Sequence, residues 1–374
     1  MKLADRMQFY DMSGVRKLFE LAAKMKDPVD LSLGLPDFDA PQRIKDSAME
    51  AIQKGKNRYT MAAGIPELRK AIEQDLMREG VNAEATMAIS GASGGLVLAL
   101  LALADSDTEV LVPDPYFITY PHMVRLTGAP IRFIDTYPDF RLTPEKLQTA
   151  VNQMPKGKRR VLIFNSPVNP SGIAYRAEEI RELASCARLL DLQVISDEVY
   201  NQFSYDFSHH SWLKHDSTAI LIRTFGKTWG MTGWRCGYAA GPKAVIDAMT
   251  ALQQFIYVCV NAPSQWASVV ALQTEMKKEI ESYRKKRDFI YEQLKGAFKI
   301  AKPEGAFYAF PEMPCNAERF QQECLKREVL IVPGGAFSQR NTHFRISFAL
   351  SDEKLKRGVE LLLDVARACQ KAAA

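Results

Sequence analysis

Between residues 109 and 222 the chain repeats one device, a short continuous apolar run closed by a turn signal and followed by a helical pattern. The runs are EVLVP (109–113), residues 131–134, RVLIFN (160–165), QVIS (193–196) and AILI (219–222). Strands apolar along their whole length have both faces buried, so they belong in a parallel sheet with helices on either side. The segments between them supply those helices. Residues 96–104 form an apolar stretch behind a Gly-rich turn, and Thr143-Pro144 is a capping hydroxyl with proline at the first helical position. Ile180, Leu183, Ala184, Ala187 and Leu190 fall on one helical face. The expected class is α/β.

Past residue 278 the texture changes. A charged helical stretch (278–299) precedes short strands at 306–310, 330–332 and 344–348, interleaved with helical patterns at 316–328 and 352–370. This mixture predicts a smaller α+β domain completed by the N-terminal segment, with Gly34-Leu35-Pro36 as the crossing. The expected division is a large domain over 47–277 and a small domain from 1–46 and 278–374. A length of 374 residues agrees, since single cores rarely outgrow about 250–300 residues. The alanine-rich C-terminus is expected to fray.

Composition mostly excludes. A formal charge of +5 is small for this length, and the densest basic runs (156–160 and 285–287) read as solvated surface, so no nucleic-acid partner is expected. Six cysteines without a CxxC pair argue against a zinc ribbon, a thioredoxin-type site or a small disulfide scaffold, and no metal site is expected. The first residues lack a signal-peptide core, and the 96–104 run is too short to span a bilayer. A cytoplasmic location without membrane partners is the expectation. His209, His210 and His215 read as ordinary exposed loop residues.

Ligands of open α/β sheets bind beyond the carboxyl ends of the strands. After RVLIFN come Asn165, Asn169 and Gly172; after QVIS come Asp197, Glu198 and Tyr200; after AILI come Thr224, Lys227 and Arg235. GASGGL (91–96) adds small residues opening into a helix, where backbone N–H groups and the helix dipole favour an anion. Ser93 there reads as a phosphate ligand or a plain cap. A phosphate cradle, a lysine and an acid together suit pyridoxal phosphate, which needs an amine for its Schiff base and a carboxylate against its ring nitrogen. Lys227 stands among Gly226, Gly230, Gly233 and Gly237, and Arg235 with partial burial is expected to depress its pKa.

TFGKTWGMTGWRCGY (224–238) resembles the cofactor-lysine signature of fold-type I, class I/II aminotransferases of the aspartate aminotransferase superfamily. Motifs in the family's order run from LSLGLPDF (31–38) to FRISFAL (344–350). The resemblance implies a mostly parallel seven-stranded sheet sandwiched by helices. It also implies ping-pong transfer of an amino group between an L-amino acid and a 2-oxo acid. Lys227 would be the covalent anchor and proton shuttle, and Asp197 the partner of the pyridine nitrogen. Tyr200 and Asn169 would donate to the cofactor's 3′-oxygen, and Arg235 with Thr224, Ala92, Ser93 and Gly94 would hold its phosphate. Tyr116 would stack on the ring. Arg345 would clamp the substrate α-carboxylate, with Gly34 and Asn169 beside it. Tyr59 would reach the neighbouring subunit's phosphate, which implies a homodimer with shared active sites.

Two departures stand out. Thr224-Phe225-Gly226-Lys227 lacks one hydroxyl of the family's Ser-x-Ser-Lys, although Thr224 can still donate. Ser93 stands where some relatives carry a lysine for a distal carboxylate, which puts an acidic side-chain preference in doubt. The alternative on the same cofactor is β-elimination by a C–S lyase. A nicotinamide dehydrogenase would want GxGxxG with a distant acid, which the chain lacks, and a DNA-binding regulator on this fold would need an extra domain.

Overall fold

The computed structural model describes residues 3–10 and 25–370; the fraying expected at the C-terminus lies outside them. Its centre is a seven-stranded sheet: β1 (Ala85–Ile89), β2 (Thr108–Asp114), β3 (Ile131–Asp135), β4 (Arg159–Asn165), β5 (Gln193–Asp197), β6 (Ile220–Thr224) and β7 (Gly237–Gly241), in the order β1-β7-β6-β5-β4-β2-β3. All neighbours are parallel except β7, which runs antiparallel to both β1 and β6. The five apolar runs read from the sequence are β2 to β6. β1 and β7 escaped that reading because ATMAI and GYAAG carry little β-branched or aromatic bulk.

Alternation along the buried strands sorts the core into two faces. Val110, Val112, Ile163, Ile195, Ile220 and Ile222 face one side, where Leu96, Leu98, Ala99 and Leu100 of α1 (Gly91–Leu103) cover them. Leu111, Leu162, Phe164, Val194 and Leu221 face the other, under Leu147, Ile180 and Leu183. Each such side chain taken from water contributes roughly 1.5–3 kcal/mol. The Thr143-Pro144 start is as read: the helix Pro144–Asn152 is capped by the Thr143 hydroxyl, which accepts from Lys146 N.

The C-terminal part has less strand than its sequence suggests. Tyr308–Ala309, Val332–Pro333 and Phe344–Ser347 form a three-stranded antiparallel sheet, and Val29–Asp30 pairs in parallel with Val329–Leu330. The charged helix runs Lys277–Leu294, ending before Gly296 and short of residue 299. Helices Ala317–Lys326 and Asp352–Gln370 fall where expected. A disulfide joins Cys315 to Cys369 across Cα atoms 5.7 Å apart, a pairing the dispersed cysteines did not foretell. Among the described residues no helix is long and apolar enough to cross a membrane.

Candidate active site

Because β4, β5 and β6 are neighbours, Asn165, Asp197 and Thr224 end three adjacent strands. They open into a cavity of about 770 Å³ whose far wall includes Tyr308, Phe337 and Arg345. Lys227, Asp197, Tyr200, Asn169, Thr224, Arg235, Arg345, Gly34, Ala92 and Ser93 all line it.

Lys227 rides on a single helical turn, Phe225–Thr228, capped by Thr224. The Thr224 hydroxyl accepts from Gly226 N at 3.1 Å and donates to the Cys236 carbonyl at 3.2 Å. Its hydrogen is therefore engaged within the loop. The Lys227 amine donates to the Gly34 carbonyl at 2.7 Å. A side chain at Gly34 would place its Cβ 2.7 Å from the Tyr308 hydroxyl oxygen, so this close approach needs glycine. Burial, reinforced by Arg345 and Arg235, pushes the amine down to about 8.

Asp197 is buried at the end of β5. One carboxylate oxygen accepts from the Tyr120 hydroxyl at 2.5 Å and the other from Val199 N at 3.3 Å. Burial raises its pKa to about 6 against the pull of those two bonds. Glu198 belongs to a different network, accepting from Ser196, Ser211, Trp212 N and Arg223, with His209 Nε2 at 3.0 Å. Although burial pushes Glu198 up, Arg223 and His209 outweigh it and hold the pKa down at about 2. The His209 side chain, only 7% exposed, is thus no open loop residue. The sequence gives no sign of this, because its partner lies across the strand end.

Period-two alternation turns Phe344 and Ile346 into the core and leaves Arg345 facing the cavity. Its guanidinium lies between the Tyr308 and Phe337 rings, 4.5 and 4.6 Å from their centres. It donates to Asn169 Oδ1 at 3.1 Å and the Ser32 carbonyl at 2.6 Å, while its buried Nε has no partner among the described residues. Tyr200 shares a 3.0 Å hydroxyl contact with Tyr308 and receives a 3.4 Å bond from Asn169.

At the opposite end, Gly91, Ala92 and Ser93 form the first turn of α1, so Ser93 lies within the helix and does not cap it. A Cβ on Gly91, whose φ is +64°, would meet the Arg235 Nη2 at 2.6 Å; glycine admits the guanidinium to the helix start. Gly94 lies off the cavity wall, facing Ser90 and Tyr257. The cavity is therefore lined by two cations, Arg235 at the helix N-terminus and Arg345, and by an amine and a carboxylate. This donor set fits a phosphorylated aldehyde with a basic ring nitrogen, and a carboxylated substrate beside it.

Two further aromatic residues lie off the cavity. Tyr116 packs on Phe133, ring centres 4.9 Å apart, and its hydroxyl accepts from Gln339, so it does not line the cavity. Phe117 does, because the chain leaving β2 turns residue 116 into the core and residue 117 outward. Tyr59, 83% exposed, stands beside Arg58 and Cys259, apart from its own chain's cavity. Sequence reasoning also missed Tyr120, Tyr308 and Phe337, whose roles depend on contacts with residues distant in the chain.

The depressed amine carries a test. In cofactor-free protein, reductive alkylation of Lys227 by an aldehyde should rise about tenfold per pH unit and level off near pH 8. Ordinary surface lysines go on rising toward about 10.4. Peptide mapping across pH reads this, and a Lys227 midpoint above 10 would contradict the site's electrostatics.

Residues 26–362 match the family model described as Aminotransferase class I and II. An aspartate aminotransferase of Pyrococcus abyssi is 36% identical, over 98% of this chain and 99% of its own. The aromatic-amino-acid aminotransferase 2 of Thermococcus litoralis is 33% identical, over 96% and 97%. The solved Thermus thermophilus aspartate aminotransferase with maleate superimposes with a TM-score of 0.90 at 32% identity, over 98% of this chain and all of that one.

Proposed function

The chain belongs to the class I and II aminotransferases, and from that premise we propose how its residues hold pyridoxal 5′-phosphate and move an amino group from an L-amino acid to a 2-oxo acid. The carrying observation is one cavity lined by Lys227, the acid Asp197 and the two cations Arg235 and Arg345. Bound there, the cofactor supplies an aldehyde that condenses with amines and a protonated ring that draws electrons from the substrate Cα. Arg235, Ala92 and Ser93 hold its phosphate, with Gly94 and Thr224 shaping the loops behind them. Asp197 takes the ring nitrogen, Asn169 and Tyr200 the 3′-oxygen, and Phe117 supplies the aromatic wall that Tyr116 does not.

Arg345 fixes the substrate carboxylate with Gly34 alongside, which holds the Cα within reach of the Lys227 amine. With a pKa near 8, that amine is neutral in a useful fraction at physiological pH and takes the Cα proton as a general base. The apolar lining, Leu96, Val332 and Phe337 among it, keeps water from the reacting atoms.

The same reading includes a homodimer, in which the exposed Tyr59 reaches the other subunit's phosphate, and the division into a large domain (47–277) and a small one (1–46 and 278–374). Pairing of Val29–Asp30 with Val329–Leu330 supports the shared small domain, whose residues 11–24 lie outside the described part. The relatives' names favour transfer and give no support to elimination. In a preparation carrying the cofactor, the visible absorbance should fall on adding an amino acid and return on adding a 2-oxo acid. Stoichiometric ammonia and pyruvate in its place would overturn transfer.

A further inference from the structure

The mechanism leaves the buried Tyr120 side chain at the cavity without a task. Tyr120 opens α2 (Tyr120–Thr127), is 2% exposed, and packs edge-on against Phe117 with ring centres 5.6 Å apart. Its hydroxyl meets one Asp197 oxygen at 2.5 Å, and among the described residues the only other donor to that carboxylate is Val199 N at 3.3 Å. We infer that Tyr120 is a positioning residue for Asp197, holding the carboxylate ionised and turned so that its remaining lone pairs meet the ring nitrogen of the cofactor. The inference rests on the function proposed above.

The physical case is a balance of opposed effects. Burial pushes Asp197 toward its neutral form, and the neighbouring negative Glu198 pushes the same way. Lys227 opposes them from across the cavity. A neutral acid would lose its charge-assisted bond to a ring nitrogen. The Tyr120 hydroxyl favours the ion, and because burial holds its own pKa well above 10 it stays protonated and can only donate to the carboxylate. The polarity of the pair is therefore fixed. The backbone adds rigidity: the Asp197 carbonyl accepts from Asn165 Nδ2 at 2.8 Å and Ser166 N at 3.2 Å. With main chain and one carboxylate oxygen both held, the acid has little freedom left to rotate away.

The test is a double-mutant cycle on cofactor affinity in the full chain, with Tyr120→Phe, Asp197→Asn and both together. Melting of the cofactor-free proteins checks that each folds. Loss of one hydrogen bond to a charged group predicts that Tyr120→Phe weakens pyridoxal phosphate binding by about 10- to 100-fold in the parent. In the Asp197→Asn background the same change should cost less than about twofold, because there is no ion left to hold. A second arm uses the analogue with carbon in place of the ring nitrogen, whose binding Tyr120→Phe should leave unchanged. Equal losses in both backgrounds, or equal losses for cofactor and analogue, would mean that Tyr120 only props up the wall, and the inference falls. If Asp197→Asn alone leaves affinity intact, the role given to Asp197 fails and takes this one with it.

Discussion

Lys227→Ala should lose at least about 10⁴-fold in kcat while the protein becomes more stable. The first half follows from the two roles proposed for it, removed together: the covalent hold on the cofactor and the base that takes the Cα proton, the latter alone worth about 10²–10⁴. The second follows from the sign of its pKa shift. Burial, Arg345 and Arg235 lower the amine from 10.5 to about 8. A base with a depressed folded pKa destabilises the fold fully where both states are protonated, below pH 8, and the penalty fades as pH rises from 8 to 10.5. At pH 7 the shift corresponds to roughly 3 kcal/mol. The side chain borders an open cavity, so truncation leaves little packing void to offset the gain. Cofactor-free Lys227→Ala should thus melt above the parent at pH 7 and converge with it near pH 10. A variant that melts lower at pH 7, or keeps more than a hundredth of parental turnover, contradicts this account.

How much of this was legible beforehand depends on the range of the interaction. β2 to β6 announce themselves because both faces are buried and their residues are apolar and often branched. Their adjacency then puts Asn165, Asp197 and Thr224 side by side. β7 shows why the rest was hidden. GYAAG is small because a Cβ on Gly237 would come within 2.5 Å of the Arg223 carbonyl, so close strand packing erased the bulk that marks a strand. That Phe117 and not Tyr116 lines the cavity is a one-residue ambiguity in a loop just past a strand, where no periodicity says which side chain turns outward. Tyr120 and His209 find carboxylates on β5 and at its end, 77 and 11 residues away, and no spacing rule reaches such partners. Thr224 was placed correctly at the cavity, yet its hydroxyl proton went to Cys236, a competition between loop and ligand that composition cannot express.

Replacing Arg345 tests whether the second cation is a substrate clamp or only a buried charge. Arg345→Met should reduce kcat/KM for the amino donor by more than about 100-fold, chiefly through KM, since truncating one partner of a buried charge pair costs about 2–5 kcal/mol. Arg345→Lys keeps the charge but cannot span Asn169, the Ser32 carbonyl and a carboxylate with one planar fork, so it should recover only part of that loss. The methionine variant has a second consequence. Arg345 is the leading charge that depresses the Lys227 amine, after burial itself, so its removal should move the Lys227 alkylation midpoint upward from about 8. A purely structural arginine would lower stability and leave KM near the parental value. If KM rises while the midpoint stays near 8, the carboxylate clamp stands but the electrostatic coupling of the two cations does not. If neither moves, Arg345 is not the group that faces the substrate.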